Sequence, residues 1–166
     1  MRKTTVTEGK LAEKQLAEFM AKYEPEIAKL ARAALGRLRK RLPGAVELVY
    51  DNYNALVIGF SPTERATDAI ISLALYPRWV NLFFLEGAHL TDPHKVLKGD
   101  GKLVRSVKLE DAATVDRPEI ASLIAQAVTF CDQKFAAQAP RRMIIKSIST
   151  KQRPRRPSGE AAHRVR

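Results

Sequence analysis

Four apolar runs follow one another between Val46 and Gly87 almost without pause: VELVYD (46–51), NALVIGF (54–60), AIISLALY (69–76) and WVNLFFLEG (79–87). Each has the length and β-branched or aromatic content of a strand. Asp51-Asn52-Tyr53 and Tyr76-Pro77-Arg78 are the turns within the first and second pair. Connections this short join antiparallel neighbours, because a parallel crossover needs a dozen or more residues. SPTERATD (61–68) is a longer polar loop, and KLVRSVKLE (102–110) makes a fifth strand. In RRMIIKSIS (141–149), Met143 and Ile145 alternate with Ile144 and Lys146, which reads as a sixth strand at an edge.

Helices flank this block. Residues 8–23 place Leu11, Leu16, Phe19, Met20 and Tyr23 near one face, up to the break at Pro25. From about 26 to 42, Ile27, Leu30, Ala31, Ala34, Leu35 and Leu38 recur at helical spacing until Pro43-Gly44 stops them. DRPE opens a third helix, with Asp116 as cap, Pro118 in the first turn and Glu119 completing a capping box. Its stripe is Ile120, Leu123, Ile124, Ala127, Cys131 and Phe135, and Pro140 closes it. The expected fold is α+β: an antiparallel sheet of five to six strands packed against N- and C-terminal helices. The expected domain spans 8–150, after an N-terminal extension (1–7) and before a mobile basic tail (151–166).

Two strands are apolar on both faces. Ile71, Leu73 and Leu75 oppose Ile70, Ala74 and Tyr76, while Val80, Leu82 and Phe84 oppose Trp79, Phe83 and Leu85. A half-exposed sheet alternates more cleanly, so something covers the second face: a loop, the last strand, a partner subunit or a ligand. The expectation is that MIIKSIS docks on the sheet edge and its neighbours shield that face, leaving the arginines after it free. Removing 152–166 should then change neither stability nor self-association. Cover by the chain itself gives a monomer; cover by a second copy gives a homodimer.

The charge is unevenly placed. Of a net +11, the stretch from Arg141 to Arg166 supplies +8, from nine basic residues and one Glu. KLARAALGRLRKR (29–41) adds six basic residues and no acidic one, and the remainder is slightly acidic. Basicity therefore sits on one helix face and one tail. A composition 45% hydrophobic and 28% charged supports an ordinary core without disulfides, and the single Cys131 forms no internal bridge. No apolar run approaches a membrane span and the N-terminus lacks a secretory signal. These features point to a cytoplasmic protein of bacterial type with no membrane partner.

Chemistry-bearing residues concentrate in EGAHLTDPHKVLKGDGKLVRSVKL (86–109). His89, Asp92 and His94 lie within six residues, the donor set of a metal loop, yet Asp92-Pro93 is also plain turn chemistry. No metal ligand is assigned. LKGDGK does not match a phosphate loop, because Leu103 follows Lys102 where Ser or Thr belongs. Still, Gly99 and Gly101 set between Lys95, Lys98, Lys102 and Arg105 would suit an anion such as carboxylate or phosphate. In the tail, Arg153, Arg155 and Arg156 within RPRRP are candidate nucleic-acid contacts. With few aromatics beside them, such binding would be electrostatic and blind to sequence. No nucleophile and base stand in a catalytic pattern, and Cys131 falls on an apolar stripe.

LPGAVELVYDNYNALVIGFSPTE, ISLALYPRWVNLFFLEG and LTDPHKVLKGDGKLVRSVKL resemble the YdhG-like domain family, bacterial domains of unknown function. IIKSISTKQRPRRP is similar to an extension on longer members. The most specific segment comprises Asp92, Pro93, Leu97, Gly99, Gly101, Lys102, Val104 and Arg105. The resemblance implies a frataxin-like α/β layer, and some members are described as frataxin-like iron chaperones. Here Glu13, Glu18, Glu24 and Glu26 are interleaved with Lys10, Lys14, Lys22 and Lys29, unlike the carboxylate cluster that hard iron requires. The resemblance brings no catalytic residue with it. The expectation is a non-enzymatic binding module without a cofactor. It takes an anionic small molecule or an acidic protein, with non-specific nucleic-acid association or metal handling as alternatives.

Overall fold

A computed structural model describes residues 2–157, with side chains from residue 8 onward. Helices α1 (Arg2–Ala21) and α2 (Pro25–Arg41) precede β1 (Val46–Asp51), β2 (Leu56–Ser61), β3 (Ile71–Leu75), β4 (Val80–Phe84) and β5 (Arg105–Lys108). Then come α3 (Pro118–Phe130) and β6 (Arg142–Ile148). The first helix begins at Arg2, six residues before the expected start at residue 8. The architecture is α+β.

The sheet is six-stranded in the order β5-β4-β3-β2-β1-β6. The meander is antiparallel throughout; the short β1–β2 and β3–β4 turns require it of their own pairs, while 62–70 and 85–104 are longer connections. β6 departs from expectation: it pairs with β1 in parallel, with a bulge between Val49 and Tyr50. The sheet is therefore mixed, not purely antiparallel. Parallel pairing is possible because the whole meander and α3 intervene between β1 and β6, ample chain for a crossover.

Register sorts the two faces. Val49, Ile58, Leu73 and Leu82 form one cross-strand row, inside the core shared with the helices. To that core α1 contributes Leu16, Phe19 and Met20, α2 Ala31, Leu35 and Leu38, and α3 Ile120, Leu123 and Ile124. The adjacent row runs Leu48, Gly59, Ser72 and Phe83 on the opposite face, where Leu48 and Ser72 are buried and Phe83 half-buried. As expected, the last strand extends the sheet edge. The polar 61–68 loop reaches it, with Glu64 accepting from Arg142 and, through its carbonyl, from Lys146 at 3.2 Å.

Tyr23, just past α1, ties the helices to the sheet. It is buried, its hydroxyl donates to the Leu75 carbonyl at 2.9 Å, and it accepts from the Leu56 amide at 3.0 Å. One side chain thus closes the start of β2 against the end of β3. Gly44, after α2, has φ +79, and a Cβ there would sit 2.0 Å from the Ala136 carbonyl oxygen. Only glycine fits that approach.

Asp116 does not cap α3. It ends a short 3₁₀ turn (Ala112–Asp116) and pairs with Arg37 and Arg41 of α2. Arg39 pairs with the buried Glu47 at 2.8 Å, where Arg141 also approaches at 3.6 Å. Three arginines of the basic helix face are thereby engaged in holding the fold together. Among the described residues no helix is long and apolar enough to cross a membrane.

Candidate functional site: the cleft beneath the C-terminal strap

Antiparallel order places alternate turns at the same end of a sheet. The β1–β2 turn (52–55) and the β3–β4 turn (76–79) therefore share one end. β6, being parallel to β1, delivers the chain that follows it to that same end. There residues 149–157 cross the two turns as a strap.

The strap is fastened by backbone and side chains. Ser149 N–H donates to the Asp51 carbonyl at 2.8 Å and Arg153 N–H to the Tyr53 carbonyl at 2.9 Å. The Gln152 amide reaches the Asp51 carbonyl at 3.1 Å. Arg155 is the anchor. Its guanidinium meets the Asp51 carboxylate at 2.9 Å, donates to the Asn52 and Tyr53 carbonyls, and lies 5.7 Å from the centre of the Tyr23 ring. Pro154 and Pro157 flank it; their fixed backbone angles and missing N–H groups suit an extended crossing without a ladder. The expectation of a mobile basic tail from residue 151 is thus corrected for 151–157, and residues 158–166 lie outside the described residues. The expectation that the arginines after β6 stay free fails for Arg155, which is only 5% exposed and ion-paired, and so is no candidate nucleic-acid contact.

Asp51 lies between two cations, Lys22 at 2.9 Å and Arg155 at 2.9 Å. Burial alone would raise its pKa. Hydrogen bonds from Lys22, Gln152 and Arg155 outweigh that and hold the carboxyl below its ordinary value. The Tyr23 phenol is pushed up to about 12, chiefly by burial, against the opposing pull of Arg155.

An open cleft of about 620 Å³ lies between strap and turns. The turns supply Asn54, Tyr76, Pro77, Arg78 and Trp79; the strap supplies Arg153, Pro154, Arg156 and Pro157. Tyr76 and Trp79 stack at 5.3 Å with their planes 27° apart, and Trp79 keeps 38% of its surface exposed. Beside the cleft, the Arg153 guanidinium covers the exposed Tyr53 ring at 5.5 Å. Arg156 donates to the Lys22 carbonyl at 3.2 Å and stands 3.7 Å from Glu24. None of the nine lining residues is acidic, so the cleft is cationic and aromatic together.

The 95–105 turn is built differently from the anion site expected of it. Asp92 directs its own carboxylate onto the Val96 and Leu97 amides, at 3.1 and 3.0 Å. The chain's own carboxylate thus fills that amide pair. The Lys98 amide pairs with the Ser106 carbonyl at 2.8 Å. Arg105 folds back so that its Nη1 donates to the Gly101 and Val104 carbonyls at 2.7 and 2.8 Å. Gly99 has φ +130 and closes on Arg105, whereas a Cβ on Gly101 would meet nothing within 4 Å. Lys95, Lys98 and Lys102 are exposed. Asp92 is thus a structural cap, and among the described residues no group of three His, Cys, Asp or Glu side chains is arranged to hold a metal. Cys131 is buried and its thiol pKa is raised, mainly by that burial.

Sequence reasoning singled out Arg153 and Arg156 but missed Tyr53, Tyr76, Arg78 and Trp79 as their neighbours. The judgement that few aromatics accompany the tail arginines holds along the chain and fails in space. No protein-family model, no curated protein and no solved structure matches this chain.

Proposed function

We propose that this chain is a non-enzymatic binding module of the YdhG-like type that holds an anionic ligand in the strap cleft. The observation that carries this reading is the convergence of Arg78, Arg153 and Arg156 from two separate segments around an open concave surface without an acidic lining residue. Charges gathered this way favour an anion most where the walls are apolar, as Tyr76, Trp79 and the prolines make them. The 95–105 turn is the weaker seat, since the Asp92 carboxylate already fills its Val96 and Leu97 amides. Chemistry is not expected in the cleft: its lining includes no His, Cys or carboxylate, and burial raises the Tyr76 phenol pKa, away from any role as a base at neutral pH.

Trp79 is the chain's single tryptophan, so its emission reports on the cleft directly. Titration with sodium polyphosphate at low salt should change that emission saturably, and Arg78→Ala with Arg153→Ala should weaken the response at least tenfold. Lys98→Ala with Lys102→Ala should leave it intact. An emission unchanged by polyphosphate, or a response lost with the lysine pair and kept without the arginines, refutes the cleft as the anion site.

A further inference from the structure

We propose that the ligand of the strap cleft is single-stranded nucleic acid, with a base stacked on the exposed Trp79 face and the adjoining phosphates held by Arg78, Arg153 and Arg156. This rests on the anion-binding reading and adds the ring to it. A simple anion site has no use for a solvent-exposed indole. Here the indole is kept 38% exposed, is held in place by stacking on Tyr76, and stands next to Arg78 in the same turn. The Tyr76 N–H bond to the Trp79 carbonyl at 2.9 Å closes that turn, so the platform is rigid before any ligand arrives.

Strand geometry favours a single strand over a duplex. An aromatic face accepts a base only when the base is unstacked from its neighbours, and every base offers such a face. The guanidiniums lie on both sides of the cleft, from the turn and from the strap, so a backbone passing between them meets cations in succession. Tyr53 under Arg153 offers a second ring on the same path, 49% exposed. Among the lining side chains only Asn54 and the Tyr76 hydroxyl offer both a donor and an acceptor to base edges, so the site reads shape and charge in preference to sequence. The open form of the cleft also suits a chain that passes through, not a mononucleotide enclosed on all sides.

The test is fluorescence anisotropy of an end-labelled oligothymidylate with the full chain. Binding should weaken with salt, with a log–log slope near −2 if three phosphates are contacted, at about −0.7 per phosphate on a single strand. Trp79→Ala should weaken it about tenfold, in the range that base stacking supports, and Trp79→Phe should recover part of that loss. Because Trp79 packs on Tyr76, Trp79→Ala should lower the thermal midpoint by a few degrees and Trp79→Phe by less, while both keep the parent's far-UV circular dichroism, which separates lost stacking from lost folding. Unlabelled polyphosphate, which has charge but no bases, should compete poorly, as should a duplex of the same length. If polyphosphate competes as well as the oligonucleotide and Trp79→Ala changes nothing, the nucleic-acid proposal is overturned while the anion site stands. If neither binds, both readings fall.

Discussion

Arg155 and Asp51, 104 residues apart in the chain, meet at 2.9 Å with both side chains sealed from water. The contact joins the last described segment to the end of the first strand. It is the reason the cleft has a second wall.

The first prediction concerns that pair. Arg155→Met leaves a buried carboxylate with one fewer counterion and frees the strap. Breaking a buried ion pair from one side typically costs about 3–5 kcal/mol, and the surviving Lys22 contact should keep the loss near about 2–4 kcal/mol. Urea unfolding followed by far-UV circular dichroism measures it. A loss below 0.5 kcal/mol, the scale of an ordinary surface change, would show that the strap is not anchored by this contact.

Acid should weaken the same contact. The Asp51 carboxyl titrates below its ordinary value in the folded protein, so its contribution is fully present above the unfolded value and is lost as pH falls through the folded one. The stability gap between the parent and Asp51→Asn should therefore be level from pH 7 to about 5 and narrow below about 4. A gap that widens on acidification contradicts the assignment.

How much of this was legible in advance depends on one strand direction. The two short turns dictated antiparallel pairing within each hairpin, but the double-sided apolar pattern of 69–87 overstated the cover of the second face: Ser72 and Ala74 of β3 are buried, whereas Phe83 of β4 is half-buried and Trp79 is exposed. The apolar stripe of α3 was visible as far as Ala127, but the helix ends at Phe130, so Cys131 and Phe135 lie beyond it and Pro140 does not close it, and Asp116 serves α2 through Arg37 and Arg41 and not its own helix. A sixth strand was legible in Met143, Ile144 and Ile145, but nothing in its alternation says which way it runs. Direction is set by which edge of β1 is open and how the crossover packs, both non-local. Had β6 run antiparallel, its arginines would lie at the far end from Trp79. The cleft is thus a consequence of topology, invisible to any reading that takes neighbours along the chain for neighbours in space. Arg155 misled for a related reason: a basic, proline-rich run is ordinarily solvated, and only the fold reveals a buried carboxylate waiting for it.

Tyr23 offers a test of how helix and sheet are joined. Tyr23→Phe keeps the ring and removes the hydroxyl, stranding the buried Leu56 amide and the Leu75 carbonyl. An unsatisfied buried polar group costs about 1–3 kcal/mol, so the variant should lose that much without losing its secondary structure. Amide hydrogen exchange at Leu56 should accelerate by more than the global stability change. Unaltered exchange there would show that water or a neighbour replaces the hydroxyl without penalty.

Gly44→Ala should be among the most damaging single-methyl additions in the chain. The new Cβ would stand 2.0 Å from the Ala136 carbonyl oxygen, in a backbone conformation that disfavours any side chain. Relief requires moving the 132–140 connection that leads into β6. A loss of several kcal/mol is expected, above the usual range of point changes. A thermal midpoint within 2 °C of the parent would mean that this connection gives way freely.

The last prediction separates the strap from the strand before it. A chain ending at Lys151 retains β6 but loses Gln152, Arg153, Arg155 and Arg156 with all their bonds to Asp51, Asn52, Tyr53 and Lys22. A chain ending at Pro157 keeps every one of them and is the proper reference. For a domain of this size each kcal/mol moves the midpoint by about 2–4 °C, so loss of the Arg155 anchor should lower it by about 5–10 °C relative to that reference. The shorter chain should also lose the polyphosphate response of Trp79, because one wall of the cleft is gone, while its sheet persists in circular dichroism. Equal midpoints for the two chains would return the strap to the solvated tail that its composition suggested. The cleft would then be reduced to two hairpin turns and one arginine.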